Sequence, residues 1–223
     1  MVLACIGVTF VASYIHHRVI LGIPQTELSQ YVVPFFVGSL FGLLISHLIR
    51  LHRALKQKEK ELKELALRDP LTGLPNRRIL MDFLGFEINR ANRKGTPLSI
   101  AFVDIDDFKQ INDTYGHLVG DRVLKALSGI LKKNLRSTDL VGRYGGEEFL
   151  IIMPETDLKT AVKVMERLRK RIEETHFEPV GRVSVSIGIT ELRAGDDMNS
   201  VLGRADEKLY QAKREGKNRV LAG

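Results

Sequence analysis

The sequence predicts an α+β fold: a central, mostly antiparallel sheet flanked by helices, preceded by membrane helices and a short helical linker. Three observations predict it. Beyond Pro70 the chain alternates strand-like and helix-like segments around a core order βααββαβ. Apolar strand segments there lie against carboxylates, at Asp104 and Asp106 on either side of Ile105 and again at Glu147 and Glu148. Ahead of all this, Tyr31 to Ile49 contains no Asp, Glu, Lys or Arg, so the 44% hydrophobic content is concentrated at the front.

As a helix, Tyr31 to Ile49 is about 28 Å long, close to a bilayer's hydrocarbon thickness, and it reads as a membrane span. Met1 to Ile15 is a second uncharged stretch of about 22 Å, sufficient only if it extends past His16, His17 and Arg18 toward Ile23. A signal peptide is the competing reading, but no basic residue precedes the apolar stretch and no small-x-small cleavage site follows it. Arg50, Arg53, Lys56, Lys58 and Lys60 follow the second span and should stay cytoplasmic. With two spans in residues 1–49, the C-terminal domain faces the cytoplasm and Arg18 to Gln30 is a short external loop.

Residues 50–68, ending LKELALR, are rich in helix formers and contain no Gly or Pro. Leu48, Leu55 and Leu62 fall seven apart, as do Leu51, Lys58 and Leu65, the pattern of a short parallel two-stranded coil. An amphipathic helix packed on its own domain is the alternative. The domain of residues 69–223 then reads as helix Arg77–Lys94, strand Leu98–Asp104, helices Asp106–Tyr115 and Gly120–Asn134, strands Leu140–Tyr144 and Glu148–Met153. Helix Asp157–Thr175, strand Arg182–Thr190, helix Asn199–Glu215 and a strand near Arg219–Leu221 complete it. Gly145 and Gly146 suit the positive φ values of a two-residue hairpin turn, which presents Glu147 and Glu148 at its tip.

Acids gathered at strand ends are how a fold surrounds a metal ion and a phosphate. With RDPLTGLPNRR at Arg68–Arg78, AFVDIDDFKQIND at Ala101–Asp113, RYGGEEF at Arg143–Phe149 and RADEKLYQAKREGKN at Arg204–Asn218, the chain from about Asp69 onward resembles the GGDEF domain of diguanylate cyclases. Glu147 takes the motif's variable acidic position. The resemblance implies a palm-like fold and a reaction in which two GTP molecules become cyclic di-GMP and two pyrophosphates. It also implies that Asp104, Glu147 and the backbone carbonyl of Ile105 hold Mg²⁺, or Mn²⁺ in its place, while Glu148 assists a second metal or the 3′-hydroxyl.

Free N–H groups and the helix dipole at the start of the first short helix favour phosphate, which places Phe108 and Lys109 along the triphosphate; Phe108 serves equally as core packing. Lys213 and Lys217 would reach the β and γ phosphates, sharing a face only if the last helix continues through Gly216. Asn112 and Asp121 would read the guanine edge, since a carboxylate accepts from its N1–H and 2-amino groups. For Asp121 a helix start, and for Asn112 a turn, are the structural alternatives. Arg136 to Asp139, RSTD, resembles the family's RxxD inhibitory product site, with Arg167 as a second contact; a surface salt bridge is the plain meaning of such a pattern. One site holds one GTP, so the reaction requires a homodimer whose half-sites face each other, and the coil would align them.

The resemblance and the apolar front together place the chain in a bacterial inner membrane as a multi-pass protein. A catalytically silent GTP or cyclic di-GMP receptor and a membrane scaffold are the competing classes, the first disfavoured by the presence of both Glu147 and Glu148. The net charge of +7 is dispersed, without interleaved aromatic residues, which excludes a nucleic-acid platform. Cys5 is the single cysteine, so no intrachain disulfide exists, and no Cys/His spacing for zinc or Ser/His/Asp arrangement occurs. His117, between two glycines, reads as a structural hydrogen-bonding residue rather than a base.

Overall fold

The computed structural model describes residues 11, 12, 15, 16, 29–65 and 67–223. The chain divides into two compact units, Met1–Glu64 and Leu65–Gly223. In the first, helix α1 spans Ser29–Leu65 without interruption, so the expected second span and most of the linker are one helix of 37 residues. Phe36, Val37, Leu40, Phe41, Leu43 and Leu44 on it are exposed. Among the described residues, however, no helix is long and apolar enough to cross a membrane. The described residues therefore do not show the expected transmembrane helices, since their apolar stretch runs into Arg50 and Arg53 within a single span's length. The expected first span, Met1 to Ile15, lies almost wholly outside the described residues.

The second unit contains α2 (Arg77–Lys94), β1 (Leu98–Ile105), α3 (Phe108–Tyr115), α4 (His117–Asn134), β2 (Leu140–Arg143), β3 (Glu148–Pro154) and α5 (Leu158–Glu173). It continues with β4 (His176–Phe177), β5 (Gly181–Arg182), β6 (Val185–Glu191), α6 (Met198–Arg214) and β7 (Val220–Ala222). Five strands form one sheet in the order β2-β3-β1-β6-β7, and β4 and β5 form a separate small pair. The pairings are antiparallel except β6 with β7, so this is the palm-like α+β fold with a mixed, mostly antiparallel sheet.

Strand β1 is buried along its whole length, and its side chains divide between two apolar layers. Ala101, Val103 and Ile105 join Val123, Leu127, Met165 and Leu168 from α4 and α5. Ile100 and Phe102 join Leu80, Leu84, Ala205 and Leu209 from α2 and α6. The period-2 geometry of a strand causes this division, and burial of each large aliphatic side chain stabilises the fold by about 1.5–3 kcal/mol.

The helix limits follow local chemistry. Asn76 caps α2 by accepting from the Ile79 N–H at 3.2 Å, and Gly95, at φ 65°, closes it in the left-handed conformation. Asp157 and Asp197 cap α5 and α6, the latter with Ser200 in a reciprocal capping box. Most expected boundaries shift by one or two residues, and two shift by three. Helix α4 begins at His117 rather than Gly120, because Gly116 at φ 82° supplies the turn before it. The strand expected from Arg182 begins at Val185, and Arg182 belongs instead to the β4–β5 pair.

Candidate functional site

Continuing the even row of β1 beyond Ile100 and Phe102 brings Asp104 to the α6 side of the sheet. Asp104 lies opposite Glu148 in the antiparallel register, so both carboxylates rise from the same face of adjoining strands. Asp104 is only 3% exposed. Its Oδ2 is 2.8 Å from the Lys213 Nζ of α6. Burial pushes the Asp104 carboxyl up to about 6; Lys213 opposes the shift, and the nearby negative charges of Glu147 and Glu148 add to it. A buried acid crowded by two others is short of positive charge.

The hairpin between β2 and β3 is tied back on itself, with the Tyr144 N–H donating to the Glu148 carbonyl at 2.8 Å. Neither Gly145 nor Gly146 takes a positive φ, which corrects the expected two-residue turn. The requirement at Gly145 is space: a Cβ there would lie 2.6 Å from the Glu148 Oε2. The glycine therefore lets the acid fold over the turn. Tyr144 is held from both sides, packing edge-on to Phe102 with centroids 4.9 Å apart and under the Arg77 guanidinium at 4.6 Å.

Beyond the β1 tip, each acid has a different partner. Asp106 accepts from the Ser184 Oγ at 2.7 Å, the Ser186 Oγ at 2.6 Å and the Asn218 N–H at 3.0 Å. It ties β6 and the C-terminal loop to β1. Asp107, at φ 55°, pairs with the Lys217 Nζ at 2.6 Å. Phe108 is buried in the α4–α5 apolar layer, so its side chain takes the packing alternative, while Lys109 is exposed at the start of α3. Helix α6 ends at Arg214 and Gly216 turns at φ 114°, so Lys213 and Lys217 do not share a helical face and reach different acids.

Asn112 on α3 and Asp121 on α4 lie on either side of Gly120. A Cβ at Gly120 would fall 2.0 Å from the Asn112 Oδ1 and 3.1 Å from the Phe108 ring, so this glycine makes the room in which the Asn112 amide sits. Asp121 is half-buried inside α4, a full turn past its first residue, which removes the helix-start alternative. His117 is the exposed first residue of α4.

The RSTD segment is a closed turn: the Arg136 N–H donates to Asp139 Oδ2 at 3.0 Å and the Asp139 N–H to the Arg136 carbonyl at 3.1 Å. The other oxygen, Asp139 Oδ1, is buried and has no hydrogen-bond partner. Arg136 is exposed. Arg167 donates to the Asn134 carbonyl at 3.3 Å and lines a cavity of about 620 Å³ whose charges are mixed, with Lys163, Lys170 and Arg171 beside Glu166 and Glu174. Arg136 and Arg167 are thus not paired with each other's segment by a hydrogen bond, but both flank the end of α4.

Among the described residues no three His, Cys, Asp or Glu side chains converge closely enough to hold a metal ion alone. The donor set fits a magnesium-type ion that completes its shell with water and phosphate oxygens: facing Asp104 and Glu148 carboxylates, Glu147 beside them, and an ammonium now compensating the buried charge. Sequence reasoning assigned no role to Arg143, Asp69, Asp106, Tyr144 or Gly120. The signal for the first pair was present, since an unassigned acid opens DPLTGLP and an unassigned base opens RYGGEEF.

Residues 66–219 match the family model described as diguanylate cyclase, GGDEF domain. The chain is 45% identical over 162 residues to diguanylate cyclase DgcP of Pseudomonas aeruginosa, covering 71% of this chain and 24% of that protein. It is 45% identical over 164 residues to response regulator PleD of Caulobacter vibrioides, covering 71% of this chain and 36% of PleD. The chain therefore spans about a quarter to a third of these curated relatives. The crystal structure of the coiled coil and GGDEF domain of DgcB from Caulobacter crescentus in complex with c-di-GMP superposes with a TM-score of 0.75 at 32% identity, covering 83% of this chain and 100% of that one. With its acids, hairpin and C-terminal lysines falling within the matched residues, the chain belongs to the GGDEF diguanylate cyclase family.

Proposed function

We propose that this chain is a membrane-anchored, Mg²⁺-dependent diguanylate cyclase that condenses two GTP into cyclic di-GMP and two pyrophosphates across a homodimer interface. The observation that carries the reading is the pair of facing carboxylates, Asp104 buried on β1 and Glu148 at the β2–β3 hairpin, with the Lys213 ammonium against the buried acid. Bound Mg²⁺, or Mn²⁺, would neutralise phosphate charge and lower the barrier for attack of a 3′-hydroxyl on an α-phosphorus. Asp104, Glu147 and the Ile105 carbonyl would hold the ion, and Glu148 would orient the hydroxyl or a second ion. Lys213 exchanges its acid partner for a phosphate oxygen as the triphosphate arrives, and Lys217 does so from Asp107. The first-turn N–H groups of α3 and Lys109 add donors for the same oxygens. Asn112 and Asp121 select guanine.

Each chain supplies one such half-site, so two copies must face each other. Leu48, Leu51 and Leu55 on α1 are more than half exposed in the single chain, in keeping with a coil that a second copy covers. The DgcB structure, which contains a coiled coil with its GGDEF domain, supports the same organisation. Membrane attachment rests on the uncharged run Tyr31 to Ile49 followed by cationic residues, with residues 1–49 as the anchor, 50–68 as the linker and 69–223 as a cytoplasmic catalytic domain at a bacterial inner membrane. Product inhibition at Arg136, Asp139 and Arg167 is supported by the buried Asp139 oxygen that lacks a donor.

The test is product formation from GTP and Mg²⁺ by detergent-purified full-length protein, resolved by chromatography, with Glu148→Gln as control. Cyclic di-GMP from the wild type alone supports the reading; nucleotide binding without product by a confirmed dimer favours a receptor. Arg136→Ala should raise the concentration of cyclic di-GMP needed for half-inhibition by about tenfold, measured on initial rates. Unchanged inhibition counts against the RSTD site.

A further inference from the structure

Arg143 links two parts of the chain that sequence reasoning left unconnected. Its Nη1 donates to both Asp69 oxygens, at 3.1 and 3.0 Å, and its Nε and Nη2 both donate to the Gly146 carbonyl, at 3.0 and 2.7 Å. The guanidinium is 17% exposed and the Asp69 carboxylate 16%. Asp69 is itself fixed, accepting from the Thr72 N–H at 2.8 Å and the Thr72 hydroxyl at 2.7 Å. The Arg143 N–H donates to the Pro75 carbonyl at 2.9 Å, and the Asp69 N–H to the Leu74 carbonyl at 2.9 Å, so the loop closes around the arginine. Although burial pushes the Asp69 carboxyl up, its Thr72 and Arg143 donors hold it below its ordinary value.

Gly146 lies between the two ends of this contact and the acids, since Glu147 and Glu148 follow it directly. Two donors from one planar fork fix both the position and the tilt of that peptide. We propose that Arg143 is a positioning residue, which sets the hairpin carboxylates Glu147 and Glu148 from the loop at Asp69–Pro75. The inference rests on the cyclase reading for what the acids do, but not for how they are held. Arg143 touches no reacting atom; it transmits the placement of a loop to a metal-binding peptide. A lysine would keep the charge opposite Asp69 and lose the fork to Gly146.

The experiment titrates Mn²⁺ by electron paramagnetic resonance into detergent-purified full-length protein with a non-hydrolysable GTP analogue. It is run alongside turnover and thermal unfolding for Asp69→Asn, Arg143→Gln, Arg143→Lys and the Asp69→Asn/Arg143→Gln double variant. Asp69→Asn and Arg143→Gln should each weaken Mn²⁺ binding by about tenfold or more while remaining folded. Arg143→Lys should fall between them and wild type, and the double variant should be no worse than the weaker single one. If Arg143→Gln fails to fold, Arg143→Lys carries the test. Folded variants with wild-type Mn²⁺ affinity overturn the role, as does a wild type that binds no Mn²⁺. A wild type that binds Mn²⁺ but makes no product defeats the cyclase reading alone, and the Mn²⁺ series still decides the positioning role.

Discussion

The two ends of the central sheet treat their acids in opposite ways. At the hairpin end, Asp104 is buried with one lysine and two neighbouring carboxylates, and its carboxyl is pushed up to about 6. At the other end, Asp196 receives both Arg204 Nη groups at 2.7 Å and the Arg193 N–H at 2.6 Å, and with these donors, Arg204 foremost, it is held down at about 2. Arg204 also donates to the Glu191 carbonyl at 2.9 Å and the Thr190 hydroxyl at 3.1 Å, fastening the β6–α6 connection. A carboxylate with its acceptor sites filled is a fastener. One left short of donors in a crowded, buried place is ready to receive a ligand, and the fold bears the cost.

Substitutions can break or sharpen that contrast. The largest effect is expected at the hairpin: Glu148→Gln should lower turnover at least about 100-fold, with the unfolding temperature unchanged. Retained turnover would show that the reaction does not need this carboxylate. Asp196→Asn should do the reverse, costing about 2 kcal/mol of stability at pH 7 with turnover per folded molecule intact. Because its folded-state value lies below the ordinary 3.8, that stability is present above pH 4 and lost as pH falls toward 2, where variant and wild type should melt together.

Asp104→Asn carries the opposite sign. A carboxyl raised from 3.8 to about 6 penalises the folded state fully above pH 6, progressively less down to pH 4, and not at all below. In chelator at pH 8 the asparagine variant should therefore be more stable by about 1–2 kcal/mol, reduced from the full shift by loss of the Lys213 pair, and the gain should vanish at pH 4. A destabilised variant at pH 8 would mean that the lysine fully compensates the acid. Gly145→Ala is the mildest: the added methyl displaces the flexible end of Glu148, so stability should change by less than about 0.5 kcal/mol while turnover falls several-fold. Steady-state rates together with thermal melts distinguish these outcomes.

The sheet and its acid-bearing tips were legible because strand periodicity and apolar runs are local signals, and the strands from Leu98, Leu140 and Glu148 start where expected. Side-chain pairing across long separations was not. Nothing local says that Asp106 gathers Ser184, Ser186 and Asn218, or that Arg143 reaches Asp69. The glycine pair of the hairpin was identified for the wrong reason: composition suggests φ freedom, whereas the requirement at Gly145 is the space taken by a carboxylate. The start of α4 was placed late because Gly120 resembles a helix breaker, though it lies inside the helix to make room for Asn112.

The acid-rich end of β1 is matched almost residue for residue by the final stretch of the chain: Asp104 with Lys213, Asp107 with Lys217, Asp106 with Asn218. β7 then enters the sheet alongside β6, in parallel. During synthesis the strands β1, β3 and β6 are made well before these partners, so a nascent domain can assemble its sheet while two acids still await their counter-charges and a third one of its donors. The proposed half-site is consequently completed only after the sheet's central strands, and a translation product truncated before Lys213 would carry the signature hairpin without the cations that face β1.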